Sequence, residues 1–145
     1  MDTKDINTIA CSLPLPYEYS KYPFYSSFFI GASSLLSLYY QDYSSFAVIF
    51  VLFLSSINYW SNTVDGFGRH FDLNMCRFFA LYFYIHCILY KDEVALEIYK
   101  YGILNAMFLF CMEYLFYYLK NPKWIVIHIG IHFYCICTPF VLYFL

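Results

Sequence analysis

Charged residues gather in short bunches along this chain, and between the bunches run five stretches almost free of them: residues 22–41, 43–64, 73–90, 101–119 and 124–145. Each is close to the ~20 residues that an α-helix needs to cross the hydrocarbon of a bilayer. Backbone groups cannot stay unpaired in lipid, so runs of this length predict helices. The expected fold class is all-α, a polytopic transmembrane helical bundle of about five spans. A polar N-terminal arm over residues 1–21 precedes a single helical domain over 22–145.

Within that pattern, Pro23 suits the first turn of the first helix, where its missing N–H is not needed. The first span then carries Ser26, Ser27, Gly31, Ser33, Ser34 and Ser37. Small residues let helices approach closely in lipid, so this face is expected to pack on neighbours. Gln41 and Asp42 form a very short turn. The loop from Ser61 to His70, with Asn62, Asp65, Gly66, Gly68 and Arg69, is rich in helix-interrupting residues. The third helix is expected to open at Asp72. Lys91, Asp92, Glu93, Glu97 and Lys100 make the next connection, and Lys120, Asn121, Pro122 and Lys123 the last. Pro139 should kink the final span.

Composition supports this reading. The chain of 145 residues is 62% hydrophobic and only 12% charged, with a mean hydropathy of +0.56, whereas soluble domains carry roughly a quarter charged residues. A net charge of -2 with no Lys/Arg cluster leaves no electrostatic footprint for nucleic acid. The expected partners are membrane lipids; a homo-oligomer or other membrane proteins stay open. The 18 Tyr and 17 Phe run through span centres as well as span ends, which reads as apolar filler chosen by an AT-rich coding sequence. Trp60 and Trp124, near span ends, read as interfacial anchors. The six cysteines, Cys11, Cys76, Cys87, Cys111, Cys135 and Cys137, fall mostly inside the spans and read as small buried apolar residues rather than a disulfide framework. No cleavable targeting signal is visible over residues 1–21.

Lys4, Lys21, Arg69, Arg77, Lys120 and Lys123 lie on the N-terminal side of the spans, and Lys91 and Lys100 on the other. The positive-inside tendency therefore predicts a cytosolic N-terminus and a C-terminus across the membrane. No internal repeat is visible.

Ionisable residues within spans are costly and call for an explanation. They are Asp72, Arg77, His86, Glu113, His128 and His132. Five alternating crossings bring Ser56, Asp72, Glu113 and His128 into one leaflet. At 1.5 Å per residue Glu113 lies ~10 Å in from Lys120, His128 ~8 Å and His132 ~14 Å in from Lys123. His86 lies ~21 Å along its helix from Asp72 and belongs to the opposite leaflet. His128 and His132, four apart, project from one helical face as two ligands of one metal must. Each feature also has a plain structural reading. The His pair could be a hydrogen-bonded packing pair, Asp72 a helix cap, and Arg77 and Glu113 a neutralising pair.

The stretch Ser56-Ile57-Asn58-Tyr59-Trp60, followed by Arg69-His70-Phe71-Asp72, resembles the CREST superfamily of membrane proteins. That group includes haemolysin III-like proteins, progestin and adiponectin receptors and alkaline ceramidases. The resemblance places Ser56 near the end of the second span, Asp72 at the opening of the third, and His128 and His132 in the last. It implies a zinc held by histidines, with Asp72 and Ser56 positioning water for attack on a lipid amide or ester. This chain departs in two ways: Trp60 stands where the family has its first His, and five spans replace seven. Glu113 or His70 would have to be the third metal ligand. The same stretch, with Gly66 and Arg69, also resembles small membrane proteins of large DNA viruses of protists and algae. Two functions follow as expectations: a remodelled zinc-dependent lipid hydrolase, or a non-catalytic structural or assembly membrane protein.

Overall fold

A computed structural model describes residues 13–90 and 93–144. Five helices account for nearly all of them: α1 Tyr17–Tyr39, α2 Tyr43–Ser61, α3 Phe67–Tyr90, α4 Glu93–Tyr118 and α5 Trp124–Phe144. No strand occurs among the described residues. The cores of the five expected spans all lie within these helices, but three helices begin earlier than the charge-free runs suggest. α1 starts at Tyr17, just after Pro16, so Pro23 sits inside the helix rather than in its first turn. α3 starts at Phe67 and α4 at Glu93. A charge-free run marks only the part of a helix suited to hydrocarbon; polar residues at the tips can continue the same backbone ladder. Consequently Asp72 lies in the second turn of α3 and is not its cap. The helical part of the expected N-terminal arm begins within residues 13–21, and Lys4 and Cys11 lie outside the described residues.

Two tight turns make neighbouring helices antiparallel. After α1, Gln41 takes a left-handed conformation at φ 59°. Its N–H bonds to the Leu38 carbonyl and the Asp42 N–H to that of Ser37. This double bond pattern ends helices by satisfying their last carbonyls. Lys120, at φ 56°, repeats it after α4, with bonds to Tyr117 and from Asn121 to Phe116. Asp42 then opens α2 by accepting the Ser45 N–H at 3.0 Å.

Each helix packs on its neighbours in sequence, and α5 returns to pack on α1, closing a ring. Ile30, Ile49, Leu52, Phe79, Phe83, Tyr99, Cys135 and Leu142 fill its middle, so all five helices share one core. The small-residue face of α1 is turned inward: Ser27, Ser33, Ser34 and Ser37 are buried. Their cost is reduced by local bonds, such as Ser27 and Ser33 donating to the carbonyls of Pro23 and Ile30. A Cβ on Gly31 would lie 2.9 Å from the Phe53 ring, so α1 and α2 approach closely there because Gly31 has none.

The polarity of the bundle runs inside out. Asp72, His128, His132, Thr138 and many serines are buried, while Phe29, Leu35, Leu81, Leu104, Phe108, Val126 and Phe133 are exposed. Two helices, α2 and α5, are long and apolar enough to cross a membrane by length and composition. Trp60 and Trp124 are not lipid-facing anchors. Both are buried, and they stack on each other with ring centroids 6.3 Å apart, closing one end of the ring with Leu15, Tyr59 and Ile125.

Candidate functional site

Just inside that tryptophan-closed end, four side chains from three helices form one hydrogen-bonded chain. His128 and His132 share the inward face of α5, one turn apart, and their Nε2 atoms are 3.1 Å from each other. On the outer side of His128, Nδ1 lies 2.9 Å from Glu113 Oε1 of α4. On the outer side of His132, Nδ1 lies 2.7 Å from Ser26 Oγ of α1. Ser26 Oγ is also 2.9 Å from the Pro23 carbonyl. The series Glu113, His128, His132, Ser26 is therefore continuous from α4 through α5 to α1.

Proton counting limits its states. If Ser26 donates to His132 Nδ1, then His132 donates from Nε2 to His128, and His128 donates from Nδ1 to a Glu113 carboxylate. If Ser26 instead donates to Pro23, it accepts from His132 Nδ1, and His128 must donate from Nε2. One more proton is then shared between His128 and Glu113. The two arrangements differ by one proton, and every bond from Glu113 to Ser26 survives in both, while the Ser26–Pro23 bond is made only in the second.

Beside this chain lies a second cluster. Asp72 is buried, and its Oδ1 accepts from Ser56 Oγ at 2.8 Å and Ser55 Oγ at 3.0 Å. It lies within electrostatic reach of His128, but no hydrogen bond among the described residues joins the two clusters. Ser56, Asp72, His128, His132 and Glu113 thus lie together as their order along the chain predicts. His70 does not: it is exposed, two residues and so more than half a turn around α3 from Asp72. Arg77 does not pair with Glu113; its Nη1 donates to Asn74, and Glu113 is bonded to His128. Ser26 was not legible as a site residue. It is one of several serines on the small-residue face of α1, and only its three-dimensional proximity to His132 sets it apart.

The zinc ligand set implied by the resemblance is not complete. Two convergent Nε2 atoms with their Nδ1 atoms tethered to a carboxylate and a hydroxyl are what ligating histidines need. A catalytic zinc, however, takes three protein ligands. Among the described residues no three His, Cys, Asp or Glu side chains are grouped so as to hold a metal ion. Glu113 faces Nδ1 of His128 rather than the space between the Nε2 atoms. The Trp60 ring packs on His128 with centroids 4.6 Å apart, and its buried Nε1 has no hydrogen-bond partner among the described residues. An indole N–H can only donate, so Trp60 supplies no ligand. Among the described residues, the pair therefore supplies two of the three protein ligands that a catalytic zinc takes.

A second polar group lies at the opposite end of the ring. Asp42 Oδ1 accepts from the Ser45 N–H and from Ser44 Oγ, and Oδ2 from Ser45 Oγ and Tyr143. His86 Nε2 is 3.4 Å from Oδ2, which places His86 at the far end from Asp72, as the sequence predicts. Partial burial pushes the Asp42 carboxyl up, but the bonds from Ser45, Ser44 and Tyr143 outweigh it and hold the group down at about 2. A carboxyl lowered on folding adds stability above its unfolded value and loses it as pH falls toward the folded one. Thermal unfolding in detergent should therefore show a loss between about pH 4 and pH 2 that the Asp42→Asn variant lacks. Parallel curves for the two proteins would contradict this.

No protein-family model matches this chain, and no curated protein or solved structure matches it either.

Proposed function

We propose that the chain is an integral membrane protein crossing the bilayer five times, with a cytosolic N-terminus, and that its buried polar groups are a non-catalytic lock holding the helices together. The membrane reading is supported by the inside-out polarity. Phe, Leu and Val side chains crowd the outside of α1, α3, α4 and α5, where water would penalise each exposed Å² by about 25 cal/mol. All five helices have 19 or more residues, ~28 Å or longer at 1.5 Å per residue. Their α1–α2 turn lies beside the ends of α3 and α5, through Asp42, His86 and Tyr143. Leu15 and Thr63 bond to each other at the other end. This alternation supports five crossings.

The observation that carries the structural reading is the direct Nε2–Nε2 hydrogen bond between His128 and His132, beside Trp60. Together with the bonds to Glu113 and Ser26 it gives every imidazole nitrogen a partner and completes a link from α4 through α5 to α1. The remodelled CREST-like hydrolase is the second reading, favoured by the convergence of the two nitrogens and by the adjacent Asp72 and Ser56. Zinc analysis of detergent-purified protein separates them. The structural reading expects no stoichiometric zinc in the native chain and no change in a variant carrying His128→Ala and His132→Ala. It also expects zinc to appear when Trp60→His supplies a third imidazole beside the pair. About one zinc per native chain, lost in the double variant, would instead establish the hydrolase reading's metal centre.

A further inference from the structure

Away from the histidine chain, the Asp42 end of the ring borders a groove of about 650 Å³ that combines a fixed anion, aromatic faces and an apolar track. Asp42, Tyr82, His86 and Tyr143 line its polar end. Phe78, Leu81, Ile85 and Leu89 of α3 form the track, recurring at helical spacing along one exposed face. His86 is level with Asp42, and Phe78 lies eight residues nearer the middle of the bundle, ~12 Å along the helix. A polar head at Asp42 and a chain laid along Ile85, Leu81 and Phe78 would match that order.

The chemistry of the head follows from the hydrogen bonds already made. A carboxylate offers about four lone-pair sites, and Asp42 accepts two hydrogen bonds on each oxygen from Ser44, Ser45 and Tyr143. The Tyr82 hydroxyl is likewise engaged with Ser44. With His86 Nε2 also 3.4 Å from Oδ2, the carboxylate offers a charge but no free acceptor site. A primary ammonium, which needs acceptors for three N–H groups, is poorly served. A quaternary ammonium needs none and is held by charge and by aromatic faces. Tyr82 and Tyr143 line this end of the groove, and Tyr143 is braced on one face by Tyr40, stacked on it at 4.6 Å.

We propose that this groove binds one choline phospholipid, with the quaternary ammonium at Asp42, Tyr82 and Tyr143 and an acyl chain along α3. The site rests on the membrane reading above, in which Asp42 lies at the bilayer face opposite the histidine chain.

The test is lipid retention after purification from bilayers of equal phosphatidylcholine, phosphatidylethanolamine and phosphatidylglycerol, measured by mass spectrometry of the delipidated and intact protein. Phosphatidylcholine should be retained roughly five-fold or more over phosphatidylethanolamine, and free choline at equal concentration should not displace it. Asp42→Asn should abolish the preference. Because Asp42 also caps α2, Tyr82→Leu serves as a second variant that leaves the cap intact and should also abolish it. Equal retention of the three lipids, or a preference unchanged by Tyr82→Leu, overturns the site while leaving the membrane reading standing. Displacement by free choline overturns the lipid assignment. A protein that stays dispersed without detergent and retains no lipid removes the membrane reading itself.

Discussion

Replacing His128 with alanine should cost about 3–5 kcal/mol of stability, the range for removing one partner of a buried charged pair. His128 stands in the middle of the chain, bonded to Glu113 on one nitrogen and His132 on the other. Its loss leaves a largely buried carboxylate and an imidazole nitrogen without partners at once. Removing Glu113 as well should cost less than the sum of the two single changes, because both delete the same bond; a coupling of about 1–3 kcal/mol is expected. Reversible unfolding in mixed detergent measures all four corners of that cycle. Additive losses would mean that Glu113 and His128 do not interact, and the proposed lock between α4 and α5 would be lost.

The second large effect concerns Asp72. Ser56 donates to its Oδ1, and the one Ser55 hydroxyl proton is shared between that oxygen and the Leu52 carbonyl; a hydrogen bond to a charged group is worth about 1.5–3 kcal/mol. Changing both serines to alanine should therefore destabilise the protein by about 2–3 kcal/mol. Adding Asp72→Leu to that variant should recover much of the loss, since an apolar side chain of similar size needs no donors there. Recovery identifies Asp72 as a group that binds helices together. Failure to recover, with a stable Asp72→Leu single variant, would show that the serines act through something other than the carboxylate.

Much of this architecture is legible in the chain itself, for physical reasons. Charge-free runs of about 20 residues predict helices, and a helix covers the core of each; the antiparallel order also predicts that Ser56 and Asp72 share one end of the bundle, where they are hydrogen-bonded. The His128/His132 pair is readable from its spacing, and the separation of His86 from Asp72 from helical rise alone. Helix starts were less legible, since polar residues such as Glu18, Arg69 and Glu97 interrupt the hydropathy signal without interrupting the helix. Partner choice was least legible. Arg77 and Glu113 have opposite charges, yet Arg77 is exposed on α3, and Glu113 finds an imidazole on the helix beside its own. Trp60 and Trp124 sit near span ends as anchors do, but both turn inward, where only the closed ring of helices explains their mutual stacking. Ser26 joins the chain solely because α5 returns to α1, a closure that no local pattern announces.

Antiparallel packing brings α2's end, α3's start, α4's end and α5's start to one side of the bundle, and the five crossings proposed above would put that side at the cytosolic face. Single cysteines at Gln41, Asp65, Glu93 and Asn121, in a background without other cysteines, can be labelled with a membrane-impermeant maleimide in sealed vesicles of known orientation. Asp65 and Asn121 should react from the cytosolic face, and Gln41 and Glu93 from the other. Labelling of Asp65 and Asn121 from opposite faces, or of all four positions from one face, would contradict the five crossings.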